Sequence, residues 1–203
     1  MAIKYGASAL GFVSEMPSGP GSISDEKIAE IVPEIPPPIS TFLLTSKQDV
    51  HSIVSQQKKC KANTLQFCDF LEIEVLKELR EKLPTVKFIQ VIHVLGEESI
   101  EEAKHICNYV DVILLDSGNP KAKIKTLGGT GKTHNWDVSK LIVEELSKPV
   151  FLAGGLNPGN IKKAIETVKP FAVDVCSGVR TDGNLDERKL AEFFAEINSL
   201  INK

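Results

Sequence analysis

The sequence predicts an α/β barrel of the TIM (β/α)8 type. Three observations carry this: short β-branched apolar runs alternate with helix-like stretches, the repeat length is nearly constant, and glycine-rich turns close several of the runs. The strand-like runs are Ala9 to Val13, Ser40 to Thr45, Thr64 to Asp69, Lys87 to Val94, Asp111 to Ser117, Pro149 to Gly155 and Ala172 to Gly178. Between them lie stretches of helical periodicity such as Asp25 to Val32, Glu72 to Leu83, Ser99 to Cys107, Val138 to Leu146, Pro158 to Val168 and Asp186 to Ile201. Strands that are short and apolar on both faces imply a parallel sheet covered by helices. The runs start 31, 24, 23, 24, 38 and 23 residues apart, so most units share one length and two carry insertions. Such regularity fits a closed barrel better than a doubly wound sheet. Seven β/α units are visible, one short of eight, and Met1 to Ser8 reads as the last turn of a helix ending near Gly6. The expectation is therefore a barrel whose first strand is missing at the front, with a gap or makeshift contact between the Ala9 and Ala172 strands. Pro36-Pro37-Pro38 reads as a rigid connector within the domain.

With 203 residues, 42% of them hydrophobic, the chain can bury one substantial core, and residues 1–203 are expected to form a single domain. The formal charge of −3 and the lack of a basic cluster argue against a nucleic-acid partner. Cys60, Cys68, Cys107 and Cys176 have no C-x-x-C spacing, and the sequence shows neither a membrane-length apolar run nor a signal-peptide pattern at Met1. A reduced, cytoplasmic protein with no membrane partner is expected. The pattern gives no oligomeric state.

In barrels of this type the loops after the strands build the active site, which makes the two insertions, Ser14 to Ser24 and Gly118 to Trp136, functional candidates. Three glycine-bearing segments follow strand ends: Gly128-Gly129-Thr130-Gly131, Ala153-Gly154-Gly155-Leu156 and Cys176-Ser177-Gly178-Val179. Glycine lets a backbone N–H approach an anion closely, so together they suggest a phosphate cradle; any one of them alone is equally a turn. Asp116 ends the run Val112-Ile113-Leu114-Leu115, which places its carboxyl at the catalytic mouth, where partial burial suits a general acid. A cap on the turn-rich Ser117-Gly118-Asn119-Pro120 is the competing reading. Asp69 and Asp174 are further strand acids, and Asp174 is expected in an internal hydrogen-bonded layer. His93 is expected as a satisfied barrel-interior residue. No histidine pair has metal-ligand spacing, so no metal is proposed. Gly131-Lys132-Thr133 imitates the end of a P-loop without its leading glycine.

The stretch Asp111 to Phe194 resembles the phosphoribosylanthranilate isomerase family: Leu114-Leu115-Asp116-Ser117, Gly128-Gly129-Thr130-Gly131-Lys132-Thr133 with Trp136, Leu152-Ala153-Gly154-Gly155-Leu156-Asn157-Pro158 with Asn160, and Val173-Asp174-Val175-Cys176-Ser177-Gly178-Val179, in matching order and spacing. Leu65-Gln66 extends the likeness toward the front. The resemblance implies a (β/α)8 barrel that isomerises N-(5-phosphoribosyl)anthranilate by an Amadori rearrangement in tryptophan biosynthesis. This is aldose–ketose chemistry, an intramolecular oxidoreduction needing no cofactor. It makes Asp116 the acid that protonates the furanose ring oxygen, Gly154, Gly155, Ser177 and Gly178 phosphate contacts, and Gly128 to Gly131 a loop closing beside the substrate. Three features depart from the family pattern. The base expected there, a first-strand cysteine, is absent, which leaves open which group takes the proton and how active this chain is. The segment Pro17 to Ser24 lacks the arginine that pairs with the anthranilate carboxylate, and Cys68-Asp69 stands where His-Gly is common. A non-catalytic phosphosugar-binding paralogue and another phosphosugar isomerase or epimerase are the alternative readings.

Overall fold

The computed structural model describes residues 1–17, 21–119, 125 and 127–201. Seven strands, β1 (Ala9–Val13), β2 (Ser40–Thr45), β3 (Thr64–Phe67), β4 (Lys87–His93), β5 (Val112–Asp116), β6 (Val150–Leu152) and β7 (Ala172–Val173), form one parallel sheet in sequential order. Helices α1 (Asp25–Ile31), α2 (Val50–Cys60), α3 (Ile73–Lys82), α4 (Glu98–Cys107), α5 (Trp136–Glu145), α6 (Ile161–Val168) and α7 (Glu187–Ile201) follow the strands one by one. The seven expected units are all present. As anticipated, β1 and β7 are the sheet's two edges and pair with no strand between them among the described residues.

Strand periodicity explains the curvature. Phe12, Leu43, Leu65, Phe67, Phe88, Ile92, Ile113, Leu115 and Leu152 point outward into one core shared with Ile28, Ile53, Leu76, Leu79, Ile106, Ile142 and Ile161 of the helices. The alternate residues point inward and form a second core, in which Cys68, Ile89, Val91, Leu114, Leu127 and Ala153 pack with Phe42, Leu44 and Phe151. A sheet with a helix-covered outer face and a filled concave face is the wall of a barrel. On the concave side the Phe42 and Phe151 rings stack at 6.5 Å and Phe151 and Phe171 at 6.0 Å; Phe171 sits beside the open edge and is 74% exposed.

The helix layer spans the opening that the sheet leaves. A short 3-10 helix (Ala2–Tyr5), ended by Gly6 at φ +107°, occupies the stretch whose sequence reads as a last helical turn. Tyr5 donates through its hydroxyl to Glu187 at 2.9 Å, Lys4 lies 3.5 Å from the same carboxylate, and Phe194 packs on Gly6. The amino terminus is thereby docked on α7.

Local chemistry sets the helix ends. Ser24, Asp49 and Asn135 accept backbone N–H groups at the starts of α1, α2 and α5, and Lys61 and Lys169 end α2 and α6 in the left-handed region. Three features differ from the sequence reading. Helix α2 is not apparent from apolar spacing because its inward face uses Gln56 and Gln57 beside Ile53 and Cys60. Strand β6 stops earlier than its apolar run because Gly154 and Gly155 turn the chain at φ +81° and +63°, and β7 stops short of a 3-10 helix at Ser177–Val179. A two-stranded hairpin, β8 (Arg180–Thr181) and β9 (Asn184–Leu185), turns at Asp182-Gly183, whose positive φ values suit a type I′ turn. Parts of both inserted loops, residues 18–20, 120–124 and 126, lie outside the described residues. No helix among the described residues is long and apolar enough to cross a membrane.

Candidate active site

The three glycine segments and the β5 acid meet at one hollow at the carboxyl ends of the strands. Its lining includes Asp116, Gly129 to Gly131, Gly154, Gly155, Asp174 and Ser177. A larger hollow of about 490 Å³, beside Arg80, Tyr109 and Asp111, lies at the opposite end, where the strands begin and where barrels carry stability rather than chemistry.

Asp116 sits in a fitted socket. One oxygen, Oδ1, accepts the Ser117 N–H at 2.6 Å. A Cβ on Gly154 would lie 3.0 Å from Oδ1 and 2.9 Å from the Ser117 nitrogen, and a Cβ on Gly128 would lie 2.8 Å from Oδ2. Both glycines also have φ above +80°, so no other residue fits without strain. Burial raises the Asp116 pKa above the usual carboxylate range, opposed by the Ser117 N–H and by His93 on the neighbouring strand. The shift favours the protonated form, which an acid must hold at the start of a reaction.

The turn after β6 is held from behind. Asn157 and Asn160 both donate side-chain N–H groups to the Gly155 carbonyl, at 3.1 and 3.0 Å, while Asn160 accepts the Asn157 N–H at 2.8 Å. With its carbonyl tied back, the Gly155 peptide cannot rotate freely. Gly178 packs on this turn so tightly that a Cβ there would lie 1.8 Å from the Leu156 carbonyl oxygen. The close fit at Gly178 thus packs the two turns against each other. Among the described residues the backbone N–H groups of Gly154, Gly155, Ser177 and Gly178 make no hydrogen bond. Above them the third segment is anchored through Thr130, whose hydroxyl lies 2.6 Å from that of Ser117 and accepts the Lys132 N–H at 3.1 Å. His134, its pKa lowered to about 4 by burial, lies 2.7 Å from the Ser139 hydroxyl and stays neutral at physiological pH.

Two residues differ from expectation. His93 uses Nε2 on the Cys68 carbonyl at 3.0 Å, but its Nδ1 is buried with no partner among the described residues, so it is only half satisfied. Asp174 is not in a closed hydrogen-bonded layer: it stands at the open edge, exposed, with the Val175 N–H as the backbone group that favours its charge. Desolvation first, and then the charge of Asp116, raise its pKa from 3.8 to about 6. A native-state pKa above the ordinary value means the folded protein holds the proton longer, so stability falls as pH rises from about 4 to 6 and stays lower above. Asp174→Asn should therefore raise stability at pH 7.5 by about 1 kcal/mol, the shift being discounted for exposure, and by nothing at pH 3, as read by urea unfolding. A further pairing was not visible in the sequence: Lys125, from the long loop, forms an ion pair with Asp69 at the end of β3. Nothing in local spacing links residues so far apart. Among the described residues no group of His, Cys, Asp and Glu could hold a metal ion.

A curled parallel β/α sheet with an acid and three glycine turns at its carboxyl end defines a barrel-type protein with a small-molecule site. The comparisons make this particular. The family model for N-(5'-phosphoribosyl)anthranilate (PRA) isomerase matches residues 1–196, and the chain belongs to that family. It is 35% identical to the N-(5'-phosphoribosyl)anthranilate isomerase of Methanosarcina acetivorans, over 95% of this chain and 85% of that protein. It is likewise 35% identical to that of Geobacter sulfurreducens, over 95% and 89%. The crystal structure of the Thermotoga maritima phosphoribosyl anthranilate isomerase superposes with a TM-score of 0.80 at 29% identity, covering 98% of this chain and 91% of that one. A phosphoribosyl anthranilate isomerase in complex with reduced 1-(o-carboxyphenylamino)-1-deoxyribulose 5-phosphate superposes at 0.77 and 26% identity, covering 98% and 91%.

Proposed function

We propose that this chain is a phosphoribosylanthranilate isomerase: one barrel domain, residues 1–203, acting in the cytoplasm on tryptophan biosynthesis. The observation that carries the reading is the Asp116 socket, a buried carboxyl with its pKa raised by desolvation, shaped by Gly128 and Gly154 and set beside the Gly154-Gly155 and Ser177-Gly178 turns. The substrate N-(5-phosphoribosyl)anthranilate carries a phosphate on C5 and a ring oxygen between C4 and C1. Backbone N–H groups of Gly154, Gly155, Ser177 and Gly178 bind the phosphate, since among the described residues they make no hydrogen bond, and the Gly155 peptide is held from behind by Asn157 and Asn160. With the phosphate held there, the ring oxygen falls toward Asp116 on the adjoining strand. Asp116 donates its proton to that oxygen as the C1–O bond breaks, and the nitrogen lone pair forms the C1=N bond. Gly128 to Gly131 close over the sugar and keep water from the cationic intermediate.

A test is growth. A bacterial strain lacking its own isomerase should grow without tryptophan when it carries this chain, and the Asp116→Asn variant should not restore growth. Growth restored equally by both would count against the assignment.

A further inference from the structure

Beside the acid and the glycine turns, the carboxyl end of the sheet holds an ion pair with no part in the steps above. Asp69, just past the end of β3, meets Lys125 of the long loop between β5 and α5. The two halves differ in exposure: the Asp69 side chain is 9% exposed and that of Lys125 41%. Asp69 is the fixed half. Its Oδ1 accepts the Phe70 N–H at 3.0 Å and its Oδ2 accepts from Lys125. Its backbone is held as well, since the buried Gln90 amide donates to the Asp69 carbonyl at 3.1 Å and His93 to the Cys68 carbonyl at 3.0 Å. A carboxylate this buried calls for a cation. An ammonium has three N–H donors, so a lysine fixed by one carboxylate can serve a second.

Register and loop length place this pair relative to Asp116. Phe67 pairs with Gln90 and His93 with Asp116, so Asp69 stands close to the level of Asp116 and two strands away, roughly 10 Å along the sheet. Lys125 precedes Gly128, which closes on the Asp116 carboxyl, by three residues, so the Cα atoms of Lys125 and Gly128 lie within about 11 Å. The phosphate turns are on the other side of Asp116, because β6 and β7 follow β5 in the sheet as β4 and β3 precede it. Between Asp116 and the ion pair, Leu127 and Cys68 belong to the concave core, with Met16 packed against it.

The substrate has a matching layout. Its phosphate arm leaves C4 and its arylamine leaves C1, on opposite sides of the ring oxygen. With the phosphate at the turns after β6 and β7 and the ring oxygen at Asp116, the benzene ring is directed toward β3, across the apolar surface of Met16, Cys68 and Leu127. The ring carries a carboxylate beside the nitrogen, and a cation is its natural partner there. Other described cations of the strand-end loops stand elsewhere: the Lys132 backbone adjoins Gly155 on the phosphate side, Arg180 is tied to the Gly183 carbonyl at 2.8 Å, and Lys47 is exposed beyond β2. The loop between β1 and α1 carries Glu15 and no cation. We propose, on the isomerase reading above, that Lys125, held by Asp69, binds the anthranilate carboxylate and sets the selectivity for an arylamine that carries one.

The test is a cycle between protein and ligand, read by calorimetry with the reduced product analogue and its 1-phenylamino counterpart, which lacks the ring carboxyl. The parent chain should bind the carboxylated ligand about 10- to 100-fold more tightly, the range of a charge-assisted hydrogen bond. Lys125→Met should lose this preference by weakening the carboxylated ligand alone, and should bind the phenylamino ligand within about twofold of the parent. Lys125→Arg keeps the charge and should keep most of the preference. In turnover, Lys125→Met should raise KM by more than it lowers kcat. Equal weakening of both ligands by Lys125→Met would make the lysine a fastening of the loop and overturn the proposal. An unchanged preference in that variant would also overturn it, as would a parent that binds the two ligands equally. A parent that binds neither ligand would overturn the isomerase reading itself.

Discussion

Replacing Asp116 by Asn should lower kcat/KM for phosphoribosylanthranilate by about 10²- to 10⁴-fold, equivalent to roughly 3 to 5 kcal/mol of transition-state stabilisation. The substitution is nearly isosteric. An asparagine Oδ1 still accepts the Ser117 N–H at the position where the carboxylate does so at 2.6 Å, and the amide group still fits between Gly128 and Gly154. What disappears is the proton. Binding of the reduced product analogue should therefore change by less than about threefold while kcat collapses. The pH profile separates this from a structural fault: with Asp116 as acid, the parent loses activity as pH rises and the buried carboxyl ionises, and the variant's residual rate should lack that limb.

The second large effect is on binding. A Cβ on Gly155 would lie 2.4 Å from the Lys132 carbonyl carbon and 2.6 Å from both the Lys132 oxygen and the Thr133 nitrogen. All three are backbone atoms, which cannot swing aside as a side chain can. Gly155→Val should therefore drive the Lys132-Thr133 segment off the turn and tilt the Gly155 N–H away from the phosphate. Affinity for ribose 5-phosphate and for the reduced product analogue should fall at least about 100-fold, measured by calorimetry. Gly183→Ala is the control: its φ of +78° imposes a comparable backbone strain, of order 1 kcal/mol, but its Cβ would meet nothing within 4 Å. That variant should bind as the parent does.

Which parts of this site could be read in advance follows from the range of the interactions. Asp116 and the Gly154-Gly155 and Ser177-Gly178 segments follow the ends of apolar runs, so parity and strand length bring them to one rim, and the long-loop segment Gly129 to Gly131 joins them there in the structure. The seven-unit count and the helical turn ending near Gly6 are likewise properties of consecutive residues. Helix α2 escapes because Gln56 and Gln57 occupy buried positions, Gln56 donating to Asp25 at 2.9 Å and Gln57 to the Ala62 carbonyl. Their partners are invisible to a hydrophobic period. Residues that act through space are harder still. Lys125 meets Asp69 across 56 residues, and Lys132 touches Gly155 only because the long loop folds back. For Asp174, sequence shows an inward-facing strand residue, and a closed barrel would bury it; with β7 an open edge, it faces solvent instead.

The most direct measurement follows conversion of N-(5-phosphoribosyl)anthranilate by the purified 203-residue chain, with the ketose product identified by nuclear magnetic resonance. The account predicts saturable formation of 1-(o-carboxyphenylamino)-1-deoxyribulose 5-phosphate, above the rate without protein and competitively inhibited by the reduced product analogue. Conversion no faster than in buffer, by a folded chain that fails to bind that analogue, would contradict it.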